Sequence, residues 1–307
     1  MSTQVRLPKF HRVPEAVSGI PITERGIDII RILLRFRFLS TSSLVKVAGG
    51  NEDVTYRHLK QLYHQGLVSR FTLPRQGNPG EFIYFLDNAA GLREIAHRLS
   101  GIEIDWALIK GNREKYSDMR ITLSGDGYGK FLFIRHELMI SDFHASLEIG
   151  CRASEGRIEL HRWIQGSQLW SRVRMPSKQL LPHRPDAFFT LRFPFAAEGQ
   201  QNSNFFYEAD RGTTNLTRFR LKLEAYLEYL RQGQQKALGI KRARAVLVET
   251  IDSDRAKQCM EVAASVTGSE QYAAAQFWFS TQQSLNDAGF EPRWSVLRDA
   301  SPRSLSD

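Results

Sequence analysis

Cysteine is nearly absent from this chain. Only Cys151 and Cys259 occur, far apart and without further cysteine or histidine at zinc-ligand spacing, so neither a disulfide framework nor a structural zinc site is indicated. Long apolar runs are missing as well. The most apolar stretch, residues 27–47, is interrupted by Arg31, Arg35 and Arg37, and no segment offers the ~20 uncharged residues of a membrane span. The opening residues, MSTQVRLPKFHRVPE, lack the apolar core of a signal peptide. A cytoplasmic protein without membrane attachment is the expectation. Acidic residues are in short supply: 33 Asp and Glu stand against 42 Lys and Arg, a formal net charge of +9. Such a balance favours a polyanionic partner. The surplus is uneven, with 12 cations against 5 acids over residues 1–75.

What remains is globular in composition, 42% hydrophobic and 24% charged, and 307 residues are enough for two domains. The expected division is a first domain over residues 20–100, a linker over 101–130, a second domain over 131–298 and a loose tail over 299–307. Gly125, Gly127 and Gly129 resemble a phosphate loop only superficially, since no Gly-Lys-Ser/Thr follows, and they read as a turn.

In the first domain, Thr23 is placed to cap a helix whose apolar stripe is Ile27, Ile30, Leu33 and Leu34, with Phe38 beyond. Ser40, Thr41 and Ser42 open a second, short helix that stops at Gly49 and Gly50. A third begins near Asn51 and ends at Gly66. Its Val54, Leu59, Leu62 and Tyr63 suit a core face, leaving Thr55, Arg57, His58 and Lys60 outside. Residues 67–73 and 81–86 read as strands joined by a wing-like turn carrying Arg75 and Gln76. Three helices and a hairpin predict a winged helix-turn-helix, its third helix fitting the major groove and Arg75 and Gln76 reaching phosphate or the minor groove.

The second domain reads as α/β with a mixed sheet. A helix from Phe131 carries His136, Glu137 and Asp142; three strands follow, then an amphipathic helix over 216–230 and a buried strand over 243–250. Asp186 opens the second of those strands, and Glu208 and Asp210 lie two apart on the third, sharing one face. Carboxylates from adjacent strands are the donors a magnesium or manganese ion takes, and such an ion activates water against a phosphodiester.

Three segments carry a family resemblance: Arg184-Pro-Asp-Ala-Phe-Phe, Phe205-Phe-Tyr-Glu-Ala-Asp-Arg-Gly-Thr213 and Arg218-Phe-Arg-Leu-Lys-Leu-Glu-Ala-Tyr226. Together they resemble the replication-relaxation family of plasmids and other mobile elements. That resemblance implies an N-terminal winged helix followed by an α/β domain of the restriction-endonuclease, PD-(D/E)xK-like fold. It matches Asp186 to the Pro-Asp of the nuclease motif, Glu208 to its second acid and Glu137 to an accessory acid. Asp210 departs from the pattern, standing where such nucleases carry lysine; Lys222 is the candidate replacement and Arg211 a lesser one. Arg218, Arg220 and Lys222, with Lys241, Arg242 and Arg244, also form a basic set able to hold DNA without cutting it.

Three functions are therefore open: a DNA-binding accessory protein of plasmid replication or mobilisation, a metal-dependent nickase or endonuclease, and a transcriptional regulator. The expected partner is double-stranded DNA, with replication or conjugation proteins and a second copy of the chain as further candidates.

Overall fold

The structure, a computed structural model, describes residues 11–73, 80–116, 126–285, 293–299 and 301–306. The chain divides into two compact units, Met1–Asp142 and Phe143–Asp307.

In the first unit, α1 (Glu24–Arg35), β1 (Leu39–Ser40), α2 (Thr41–Ala48), α3 (Glu52–His64), β2 (Ser69–Thr72) and β3 (Phe82–Phe85) follow one another. Short polar side chains set the helix starts. Thr23, Ser40 and Asn51 accept hydrogen bonds from the backbone N–H groups of Gly26, Ser43 and Val54. Gly49, at φ 62°, ends α2 in a conformation that a β-carbon would strain. β3 pairs antiparallel with both β1 and β2, in the order β1-β3-β2. One cluster of Phe38, Phe71, Leu73, Ile83 and Phe85 lies beneath this sheet, joined by Tyr116 and Ile134. Those last two come from α5 (Trp106–Tyr116) and α6 (Asp126–Ala153), which follow α4 (Ala89–Glu94).

Residues 101–130 therefore hold more structure than a linker. Gly127 and Gly129 lie in the first turn of α6 and not in a turn between elements, while Gly125 is outside the described residues. The division between the units falls within α6.

The second unit is built on β4 (Glu159–Gln165), β5 (Ser171–Arg174), β6 (Leu180–His183), β7 (Ala187–Arg192), β8 (Asn202–Asp210), α7 (Leu216–Arg231), β9 (Ala245–Thr250), α8 (Ser253–Thr267), α9 (Gln271–Ala274), β10 (Phe277–Thr281), α10 (Gln282–Leu285) and β11 (Ser295–Val296). Six of the strands form a mixed sheet in the order β11-β10-β9-β8-β7-β4. β8, β9 and β10 are parallel, as crossovers through α7 and α8 require; the outer pairs are antiparallel.

Alternation along β8 distributes its side chains over two buried layers. Phe206 joins the cluster formed with Phe219, Leu223 and Tyr226 of α7 and with Cys259 and Ala263 of α8. Tyr207 points oppositely, stacking on Phe143 at 4.2 Å between ring centroids and donating to Glu249 at 2.5 Å. Burial on both faces explains why β7, β9 and the centre of β8, Phe205 to Tyr207, read as apolar runs.

Two features differ from the sequence expectation. β5 and β6 form a separate two-stranded sheet, inserted between β4 and β7, where sequence periodicity gave no strand. The tail is not loose, because Trp294 bridges Arg303 and the Leu305 side chain is buried.

Phe206 is fully buried whereas Phe195 is 83% exposed. Phe206→Ala is expected to lower the unfolding free energy by about 3–5 kcal/mol and Phe195→Ala by less than about 0.5 kcal/mol, read from urea denaturation of the full chain.

Candidate functional site

In the first unit the expected outer face of α3 is only partly outside. Arg57 and Lys60, one helical turn apart, are exposed, as is Tyr56. Thr55 is not: it is fully buried, and its hydroxyl accepts from Arg25 Nη2 at 2.9 Å. It shares the buried face of Leu59 and Leu62, four and seven residues on, and its donor lies on α1. Arg25 also donates to the carbonyls of Ala48 and Gly49, so one guanidinium closes the C-terminus of α2 and grips the first turn of α3. His58 is half-buried beside Thr23, at 3.4 Å, and burial together with Arg57 and Arg25 lowers its pKa. Arg75 and Gln76 lie outside the described residues.

Glu137, expected as an accessory acid, pairs with Arg37 at 3.7 Å in the first unit. Asp142, on the same helix, accepts from Ser43 at 2.7 Å, and burial pushes its carboxyl up to about 6. Helical geometry keeps His136, Glu137 and Asp142 from forming one site, since residues five and six apart do not share a face.

In the second unit the sheet and α7 bring Asp186, Glu208 and Lys222 together. Asp186 sits just before β7, and its Oδ2 accepts from the backbone N–H of Ala209 on β8 at 2.9 Å. Glu208 is 3% exposed. Lys222 Nζ donates to one of its oxygens and the Tyr226 hydroxyl to the other. Burial pushes the Glu208 carboxyl up to about 8 against the pull of Lys222. Burial also works against the Lys222 ammonium, yet Asp186, Glu208 and Asp210 outweigh it and raise its pKa. Burial and Glu208 keep Tyr226 protonated, as a donor must be.

Asp210 is engaged elsewhere. Its two oxygens accept from Arg255 Nε and Nη2, each at 2.9 Å, and Oδ1 also accepts from the backbone N–H of Gly212 at 2.6 Å. Arg211 is half-buried and Arg218 exposed, so of these two Arg218 presents the open cation.

A divalent ion needs several oxygens turned to one centre. Here one oxygen of Glu208 faces the Lys222 ammonium and the other the neutral Tyr226 hydroxyl, while both oxygens of Asp210 face the Arg255 guanidinium. Among the described residues no group of three Asp, Glu, His or Cys side chains is placed to hold a metal ion. In this arrangement Lys222 and Arg255 bring positive charge to Glu208 and Asp210.

Several residues that shape these sites are not evident from motif reading. Tyr226 stands four residues after Lys222, hence on the same face of α7, a relation visible in the spacing. Arg255 lies in the first turn of α8, where a cation opposes the helix dipole; that misplacement is itself a signal of a buried acid nearby. His183, at the end of β6, stacks on Tyr229 at 3.9 Å between centroids. Burial, then Lys222, lowers its pKa from the ordinary 6.5 to about 3.

Two outcomes follow. Arg255→Met leaves Asp210 buried without its counter-ion and is expected to cost about 3–5 kcal/mol of stability, whereas Asp210→Leu with Arg255→Met costs markedly less; a double-mutant cycle by chemical denaturation reads the difference. For His183, the unfolded chain takes a proton below pH 6.5 while the folded one does not until about 3. Its contribution to stability is whole above the first value and declines as pH falls toward the second. Melting temperatures across that interval should fall less steeply in His183→Phe than in the native protein.

Comparison with known proteins adds one positive finding. No curated protein and no solved structure matches the chain. The family model for replication-relaxation matches residues 30–241, more than half of the chain and running from α1 to the segment before β9. The protein belongs to the replication-relaxation family.

Proposed function

We propose that the protein binds double-stranded DNA through its first unit, acting as an accessory protein in plasmid or mobile-element replication or mobilisation. The observation that carries this reading is the exposure of Arg57 and Lys60 on one face of α3, a helix held at its first turn by Arg25. A helix cross-braced in this way can enter a major groove without losing its angle, and its cations meet phosphates or base edges. The order of three helices and a β-hairpin supports a winged helix. The family, through its role in replication, supports the same setting.

The second unit enters this proposal as a degenerate form of a nuclease-like domain. The succession α6, β4, β7, β8, α7, β9, with Asp186 and Glu208 at its centre, supports the restriction-endonuclease-like relation. Charge neutralisation by Lys222 and Arg255 favours binding over metal-dependent cutting.

Fluorescence anisotropy with a labelled duplex carrying the element's own origin region tests the reading. Affinity should fall steeply with salt, and Arg57→Ala with Lys60→Ala should flatten the slope of log K against log salt by about 1.8, at roughly 0.9 per phosphate contact. An unchanged slope would sink the assignment to α3. Supercoiled plasmid with magnesium or manganese should stay closed; conversion to open circle that Asp186→Ala abolishes would replace this proposal with a nickase.

A further inference from the structure

The β5–β6 hairpin is distinct in charge from the rest of the second unit. From residue 160 to residue 185 the chain contains Arg162, Arg172, Arg174, Lys178 and Arg184 and not one Asp or Glu. Pairing of Ser171 with His183 through Arg174 with Leu180 sorts these side chains by face. Val173, Leu181 and His183 are buried, and Val173 joins the core cluster of α7. Arg172, Arg174, Leu180 and Pro182 are exposed on the other face. Gln232, the residue that follows α7, donates to the carbonyl of Arg174 at 2.6 Å, tying the hairpin to the end of that helix. Its turn is closed by the N–H of Lys178 donating to Met175 and that of Met175 to Gln179, both at 2.8 Å. Lys178 takes φ 67° there, a conformation that glycine would adopt without strain, and so sets a cation at the tip.

At the base of the hairpin, Trp170 is 54% exposed. The Arg184 guanidinium lies over its ring, 4.9 Å from the centroid. An open indole is an unusual surface residue in a unit that buries most of its other rings, and here it stands within an acid-free basic strip. Positive charge along a ribbon with an aromatic platform at one end complements one class of polymer: a chain of phosphates whose bases are free to stack. Duplex DNA does not offer free bases.

We infer that the outer face of the β5–β6 hairpin, with Trp170 and Arg184 at its base, binds single-stranded DNA. A base stacks on Trp170 while Arg172, Arg174 and Lys178 follow the phosphates. The choice of DNA over RNA rests on the duplex-binding function proposed above; the single-strand preference rests on the indole and the strip alone.

The test uses the full-length protein and a labelled oligothymidylate of about sixteen nucleotides, within the site size of one compact binding module. Trp170→Ala should weaken binding roughly 5- to 100-fold, the loss of one base stack, while Trp170→Phe, which keeps an aromatic face, retains most of the affinity. Arg172→Ala with Arg174→Ala should reduce the salt slope by about 1.4, at roughly 0.7 per single-strand phosphate. All these side chains are exposed, and unchanged melting temperatures will show that the variants fold. Native-like oligothymidylate binding by Trp170→Ala, or no binding by the native protein, overturns the inference. Oligouridylate bound more tightly than oligothymidylate overturns the choice of DNA. The two readings separate cleanly: loss of duplex binding alone in Arg57→Ala with Lys60→Ala belongs to α3, and loss of single-strand binding alone in Trp170→Ala belongs to the hairpin.

Discussion

A carboxylate buried beneath a helix cannot be left to itself. Glu208 lies on the inner face of β8, almost without solvent, and an unpaired charge there would cost several kcal/mol. The fold answers with two donors from one helix, Lys222 and Tyr226, spaced by a turn of α7 so that each meets one oxygen. That requirement fixes the rotation of α7 about its axis and its position along the sheet. The apolar face of the helix, with Phe219, Leu223 and Tyr226, then falls upon Phe206 and Val246. The same demand recurs one step further along β8, where Asp210 takes the guanidinium of Arg255 and thereby locates the start of α8. Two helices are set on the sheet by two buried acids.

These internal pairs also decide what the surface presents. Glu208 and Asp210 each meet a cation within the fold, Lys222 and Arg255, and so do not offset the cations of the surface. Exposed cations remain on the surface, Arg57 and Lys60 on α3 and an acid-free set on the β5–β6 hairpin. A protein with a neutralised interior and a basic exterior is suited to hold polyanions, and its affinity is governed by salt.

Sequence made much of the framework legible, because its signals are local. Caps at Thr23, Ser40 and Asn51, the glycine at position 49 and the apolar runs of β7, β8 and β9 depend on near neighbours or on burial over a whole strand. The residues Asp186, Glu208 and Lys222 were likewise legible as a group. Their relation to Asp210 was not, since Arg255, 45 residues later, stands out as a cation in a helix's first turn but nothing local says which acid it will claim. Thr55 misled for a different reason: its polarity suggested an outer position, yet it precedes Leu59 and Leu62 by four and seven residues and so shares their buried face, where Arg25 from α1 meets its hydroxyl. The β5–β6 hairpin escaped because Arg172, Arg174, Pro182 and Arg184 interrupt any apolar run, and only one face of it is buried.

That last omission has a physical meaning. A hairpin that conceals one face against α7 and sets Arg172, Arg174 and, at its turn, Lys178 toward water without an acid among them is costly as a mere scaffold, for the cations repel one another and Trp170 gains nothing from water. A polyanion with free bases relieves both penalties at once, since its phosphates screen the arginines and its bases cover the indole. On α3 the corresponding relief comes from a duplex, whose bases are already stacked, and there the helix offers cations at fixed spacing from a rigid mount instead of an exposed indole. The kind of DNA each surface suits thus follows from how much of the partner's stacking is still unspent.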